Sequence, residues 1–239
     1  MLTSSIFKKI KHQNWGAAFI DFLVVVLGIF VAIQVNGWNE ERINNQKEKV
    51  ILNQLYNEVS SNIEHIKLLV NAHKKRVAGL DYVVKGIIDG TIEPSSSKAK
   101  DPIITMFQLP PLRISMSTYH SLVATGDIAL INDPELKALL FSVEAAVEAE
   151  KSYIDYFRQI NISDLDYSRG LITLKPKIDK TGTTVHVDFE RLLKDGSLLI
   201  ILTNSQHTHS LFSQVREDLA IRFEKVKTYI DNTPNKIKI

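Results

Sequence analysis

Residues 15–35 of the chain, WGAAFIDFLVVVLGIFVAIQV, hold one ionisable side chain, Asp21, among twenty-one positions. At 1.5 Å per residue such a stretch extends about 30 Å, the thickness of a bilayer's hydrocarbon core. Trp15 and Trp38 bracket it, spaced so that one indole falls at each interface, where amphipathic rings settle. Lys8, Lys9 and Lys11 precede it, with no acid among the first twenty residues, and Glu40, Glu41 and Arg42 come after it. The positive-inside rule then puts the N-terminus in the cytoplasm and the long C-terminal part outside. A cleaved signal peptide fits less well. Its apolar core runs about 7–15 residues and ends in a small-residue site, whereas this stretch is longer, carries an acid and ends in Gln34-Val35-Asn36-Gly37-Trp38.

Asp21 is costly at bilayer depth unless it faces protein, water or headgroups. On a helical wheel Ala17, Asp21, Gly28 and Ala32 share one narrow face. Gly28 and Ala32 form a small-xxx-small pair that lets two helix backbones approach. We expect a transmembrane interface built from Ala17, Asp21, Gly28 and Ala32, with Lys8, Lys9, Lys11, Trp15 and Trp38 as membrane-interface anchors.

The chain has 239 residues and no cysteine, so the part beyond the anchor needs a hydrophobic core and uses no disulfide. The first 35 residues carry Lys8, Lys9, Lys11 and Asp21, and so account for the whole net charge of +2. The remainder is neutral, which argues against a nucleic-acid partner. Ten glycines and seven prolines are few for this length and favour helices.

From Asn39 to Asp89 there is no proline. Leu52, Tyr56, Val59, Ile63, Ile66, Val70, His73, Val77, Leu80, Val84 and Ile87 recur at alternating steps of four and three, a five-heptad coiled-coil-like seam with one polar member. Ile51, Leu55, Leu69, Val83 and Ile88 widen the stripe, as in a globular bundle. Asn36-Gly37 is the expected kink at the membrane exit. Gly90 should end the helix. Residues 93–102, EPSSSKAKDP, read as a loop, and Ile103 to Leu112, broken by Pro110-Pro111, as extended chain. Ser115 to Thr125 reads as a short helix stopped by Gly126, with Ile128 to Ile131 as a connector. Asp133-Pro134-Glu135 is a strong helix start, and that helix should run to about Gln159 with Leu136, Leu139, Leu140, Val143, Val147 and Ile154 on one side. Asn161 to Asp188 is the least regular part, with Thr183 to Val187 as a strand or extended loop. Asp188 should cap a brief helix, Phe189 to Lys194. A last long helix, from Ser197 or Thr203 to Ile230, should bury Leu211, Val215, Leu219, Ile221, Phe223, Val226 and Ile230. The expected fold is mainly α: a cytoplasmic tail (1–14), a transmembrane helix (15–35) and an extracytoplasmic antiparallel helical bundle with long helices (36–239).

Motifs for catalysis are missing. There is no glycine-rich phosphate loop, no Gly-x-Ser-x-Gly elbow and no His-Glu-x-x-His. We therefore expect no catalytic residue, cofactor or metal. His207-Thr-His209 would share a face on a strand but diverge on a helix, and reads as a solvated helix start. His73 sits on the seam, as a satisfied core histidine or a pH-sensitive one. Asn71 to Arg76 and Glu144 to Lys151 read as solvated helix faces, and Tyr153, Tyr156 and Phe157 as a core aromatic cluster.

The stretch from Asp21 to Glu41, with an acid before the apolar run, then Gly28-Ile29, Ala32-x-Gln34 and Trp38-Asn39-Glu40, resembles the anchor signature of an uncharacterised family of bacterial single-pass membrane proteins. Ser117 to Leu136 (STYHSLVATGDIALINDPEL) is similar to that family's middle segment. This chain has Gly37 where the family often has an asparagine. The resemblance implies a bacterial inner-membrane protein with no assigned reaction, and marks Asp21, Gln34 and Trp38-Asn39-Glu40 as signature positions. The expected role is a non-catalytic interaction or sensing module in the periplasm, partnered by the bilayer and by a second copy or another membrane protein. The alternatives are a hydrolase-like enzyme using His120, or His207 and His209, with an acid; an envelope tether or spacer; and a ligand-sensing bundle.

Overall fold

With no proline between Pro94 and the N-terminus, the chain can form one uninterrupted helix, and it does. A computed structural model describes residues 15–176 and 183–232, and its first element, α1, spans Trp15–Ile88. The Asn36-Gly37 dipeptide, expected as a kink, is regular α structure within it. Gly90, at φ +68°, ends the helix, with the Thr91 N–H closing on the Gly86 carbonyl at 2.9 Å.

The chain divides into two units, Met1–Val50 and Ile51–Ile239. In the first, the most apolar eighteen residues have a mean hydropathy of 2.3 and none is buried among the described residues. Thirteen large apolar side chains between Phe19 and Val35 are 41–63% exposed. Burying them is worth on the order of 20 kcal/mol, more than a typical domain's whole stability of about 5–15 kcal/mol. This helix is long and apolar enough to cross a membrane.

The second unit is a helical bundle. After α1 come α2 (Ser97–Thr105), α3 (Ser117–Thr125), a 3-10 turn (Asp127–Leu130), α4 (Pro134–Tyr167), strands β1 (Ile172–Pro176) and β2 (Thr183–Val187), α5 (Phe189–Lys194) and α6 (Gly196–Asn232). Side-chain pairs fix the directions. Along α1, Lys67, His73 and Asp81 meet Glu224, His209 and Gln206 on α6 in descending order. Along α4, Ser142 and Glu150, with Asp133 at its cap, meet Arg222, Arg216 and Tyr229 respectively. So α6 runs antiparallel to both α1 and α4. The two strands pair antiparallel, Ile172 against Val187 through Pro176 against Thr183.

The expected caps form. Asp133 accepts from the Glu135 and Leu136 amides at 2.8 and 3.3 Å with Pro134 first in the helix. Asp188 accepts from Arg191 N–H at 2.9 Å. Gly126, at φ +80°, closes α3. Four further expectations need correction. The stretch expected as a loop at 93–102 contains the start of α2. Ser96 caps it, accepting from Ala99 N–H at 3.3 Å, and Ala99 and Ile103, four apart, bury one face. A Cβ on Gly79 would lie 2.7 Å from Pro102 Cγ, so a glycine on α1 is what admits α2. The helix α4 continues beyond Gln159 to Tyr167, because no glycine or proline interrupts it before Gly170. Ile88 and Ile221 are 67% and 50% exposed, and Tyr153 and Tyr156 are 51% and 59% exposed, outside the core expected for them. On α6 the buried stripe passes through Phe212 and Arg216, while Leu211 and Val215 are only half-buried.

Two hydrophobic clusters make the core. One gathers Leu52, Leu55, Ile66 and Val70 with Leu136, Leu140, Val143 and Val147 and with Leu219, Phe223, Val226 and Ile230. The other gathers Leu80, Val83, Ile103, Met106, Leu171, Leu192, Leu198 and Leu202.

Candidate functional site

Between these clusters, at the level where α1 passes from Val70 to Leu80 and α6 from Leu202 to Leu219, the bundle carries a polar layer. His73, Glu150, His209 and Arg216 are each 0% exposed. Each occupies a position that helical spacing assigns to the core: Glu150 continues the α4 steps Leu136, Leu140, Val143, Val147.

The hydrogen bonds run in one direction. Arg216 is permanently protonated and donates only. Its Nη1 lies 2.9 Å from His73 Nε2, so that nitrogen accepts and the His73 proton is on Nδ1. His73 Nδ1 lies 2.9 Å from His209 Nδ1, so His73 donates and His209 carries its proton on Nε2. That N–H faces the Met106 carbonyl at 3.0 Å, an acceptor and nothing else. Both ends of the relay demand the same tautomers, and both imidazoles are neutral. Burial first, then the Arg216 charge, pushes the His73 pKa down to about 3; burial chiefly, with Arg76 and Arg216 adding, pushes His209 to about 4.

The Arg216 guanidinium is spent in four directions. Its Nε donates to Glu150 Oε1 at 2.9 Å and its Nη2 lies 2.8 Å from the same oxygen. Its Nη2 also donates to the Pro110 carbonyl at 2.9 Å, and its plane lies over Phe212, 5.6 Å from the ring centroid. Phe212 in turn stacks on His73 and takes the edge of Phe157. Burial lowers the Arg216 pKa while Glu150 raises it.

This layer also fastens an irregular segment. Gln108 to Met116 has no regular structure, so its backbone groups must be met by side chains, and α1 and α6 supply them. His209 and Ser205 take the Met106 carbonyl just before it, and Arg216 the Pro110 carbonyl. On α1, His65 Nε2 accepts from Arg113 N–H at 3.4 Å, and Asn62 pairs with Ser115, donating to its carbonyl at 2.7 Å and accepting from its amide at 3.1 Å. Glu58 accepts from the Ser115 hydroxyl and from the Ser117 amide and hydroxyl at 2.8 and 2.7 Å, capping α3 from another helix. Burial opposes the charge on Glu58, but those hydrogen bonds outweigh it and hold the carboxyl below its ordinary value. Glu58, Asn62 and His65, at i, i+4 and i+7, form one polar rail along α1.

The sequence-expected residues divide accordingly. His73 is the satisfied core histidine. His209 is buried in mid-helix, against the expectation of a solvated helix start, while His207 is exposed. Glu150 and Arg76 belong to runs expected to be solvated, yet Glu150 is fully buried and Arg76 half-buried. His120 Nε2 lies 3.0 Å from Glu144 in an exposed pair, and among the described residues no hydroxyl is hydrogen-bonded to that imidazole. Among the described residues no three histidine, cysteine, aspartate or glutamate side chains group to hold a metal ion. Asp21, Gly28 and Ala32 are exposed, with nothing within 4 Å of a Cβ placed on Gly28, and Trp38 is 76% exposed. Lys8, Lys9 and Lys11 and the side chains of Trp15 and Ala17 lie outside the described residues.

Residues 21–143 match the model of DUF6090, a family of unknown function. The chain belongs to this family. No curated protein and no solved structure matches it. The DUF6090 match contains His73, the rail and the fastened segment, and stops before Glu150, His209 and Arg216.

Proposed function

We propose that this DUF6090 member is a single-pass protein of the bacterial inner membrane whose residues 36–239 form a periplasmic interaction or sensing module without catalysis. The observation that carries the reading is the uncovered apolar run from Phe19 to Val35, whose side chains find no cover among the described residues and for which lipid is the matching solvent. The three lysines before the run, against Arg42 alone in the ten residues after it, support a cytoplasmic N-terminus. The open face at Asp21, Gly28 and Ala32 supports association within the bilayer with a second copy or another membrane protein. The bundle's most unusual side chains, the histidine–arginine layer, are sealed from solvent and spent on fastening backbone. That supports a role in holding a shape for a partner to recognise.

The chain's lack of cysteine provides the test. Ser5→Cys and Ser121→Cys are made singly and treated in intact cells with a membrane-impermeant maleimide after outer-membrane permeabilisation. Labelling of Ser121→Cys alone, with Ser5→Cys reacting only after lysis, is expected. The reverse pattern overturns the orientation, and recovery of the protein in the soluble fraction overturns the anchor. In the same strain, Asp21→Leu should lose a membrane partner, or a second copy, that the unaltered chain retains in detergent.

A further inference from the structure

Together with Arg76, whose charge reaches both histidines, the polar layer has one charge more than it has counter-charges. Arg216 and Glu150 cancel, and both imidazoles are held neutral by the direction of their hydrogen bonds. Arg76 remains. It lies one turn beyond His73 on α1, so its side chain leaves from the same region of the helix. Its Nε is buried without a hydrogen-bond partner, and among the described residues it meets no carboxylate. The layer's acid, Glu150, has Oε1 committed to Arg216 and Oε2 buried without a hydrogen-bond partner, and neither oxygen forms an ion pair with Arg76. Burial, and then the Arg216 charge, lower the Arg76 pKa. A half-buried guanidinium with a dry donor and a cationic neighbour is destabilising, and nothing among the described residues offsets it. The fork of a guanidinium fits a planar or tetrahedral oxyanion better than any other ligand class.

We propose that Arg76 is the primary contact of a binding site for a soluble small molecule carrying a carboxylate or phosphate group, seated at the edge of the histidine–arginine layer. The ligand's negative charge completes the layer's charge balance. Because Arg216 and His73 fasten Pro110 and, through His209, Met106, occupancy also stiffens the segment from Gln108 to Met116. This names a ligand class for the sensing half of the proposed function and rests on that half. It does not depend on membrane orientation, so either can fail alone.

The test uses the full chain purified in a neutral detergent free of phospholipid, with inorganic phosphate as the probe and sodium chloride holding ionic strength constant. The unaltered chain should show a saturable rise in melting temperature of about 3 °C or more. Arg76→Met should abolish the rise and, without phosphate, melt no lower than the parent, because it removes an unpaired cation; an arginine needed only for packing would lower it. Arg76→Lys keeps the charge but not the fork and should need several-fold more phosphate. Amides of residues 112–117 should exchange more slowly with phosphate bound. No saturable rise in the parent, or an equal rise in Arg76→Met, overturns the site. Should Arg76→Met fail to fold, an Arg76→Lys titration coinciding with the parent's overturns it too.

Discussion

Glu150→Gln isolates the energetics of the buried layer. The substitution keeps a side-chain oxygen to accept from Arg216 Nε, now 2.9 Å from Glu150 Oε1, but removes the carboxylate that, among the described residues, balances a guanidinium with 0% exposure. Breaking a buried ion pair from one side costs about 3–5 kcal/mol, because the remaining charge stays dry. The retained hydrogen bond puts Glu150→Gln at about 3 kcal/mol. Arg216→Met goes further: it leaves Glu150 uncompensated and strips the donors from His73 Nε2 and the Pro110 carbonyl, at about 1–3 kcal/mol each. The double variant should cost less than the sum, since each change removes the reason for the other's penalty. Urea unfolding followed by far-ultraviolet circular dichroism in mild detergent is the assay. Tryptophan fluorescence is blind here, because Trp15 and Trp38 both precede the bundle. With a denaturant slope of about 2–3 kcal/mol/M for a domain of this size, Glu150→Gln should move the midpoint down by about 1 M. A midpoint within about 0.2 M of the parent would refute the view that this pair is charged and dry.

Acid should destabilise the bundle through the histidine pair. Their folded pKa values, about 3 and about 4, lie below the ordinary 6.5, so the unfolded chain takes up protons that the folded one refuses. The stability is whole above about pH 6.5 and is lost as pH falls toward 4. Taken as one coupled pair, the first proton refused is worth about 3 kcal/mol. Urea midpoints measured from pH 7 to 4 should fall in the parent, and the His73→Gln/His209→Gln variant should flatten that slope. Gly79→Ala should destabilise by about 1–3 kcal/mol in spite of alanine's helix preference, since its Cβ would meet the rigid Pro102 ring at 2.7 Å. Gly86→Ala meets Ile92 at its Cδ1, Cβ and Cα, 3.1, 3.3 and 3.4 Å away; only the first can give freely, so it should cost less than Gly79→Ala, about 1 kcal/mol or under, by the same urea assay. Asn62→Ala removes both hydrogen bonds to Ser115, so the Ser115 amide should exchange with deuterium at least tenfold faster while amides of α4 keep their protection.

The apolar half of this protein was legible because burial in a helix writes itself at steps of three and four. Leu52, Val59, Ile63, Ile66, Val70 and Leu80 on α1 and Leu136, Leu140, Val143 and Val147 on α4 are buried where their spacing puts them. The caps at Asp133 and Asp188 were legible for a similar reason: their signal is local. The second strand's partner at Ile172–Pro176 and the helix at Ser97–Thr105 were not, since each depends on a remote surface, the latter on the missing side chain of Gly79. The polar layer was hidden by the rule that found the core. On α6 the buried face runs Ser205, Thr208, His209, Phe212, Ser213, Arg216, five polar residues in six. A search for apolar periodicity therefore slides off it to Leu211 and Val215, about 100° around the helix. The trace that remains is the heptad arithmetic itself. His73 on the α1 seam, and Glu150 three residues after Val147 on the α4 seam, each put one polar residue where an apolar one belongs. Two such interruptions on separate helices fall at one level only if the helices align there. Their coincidence makes the layer a register pin as well as a candidate site: a shift of one helix by a turn would leave Glu150, Arg216 and His73 each buried without its partner.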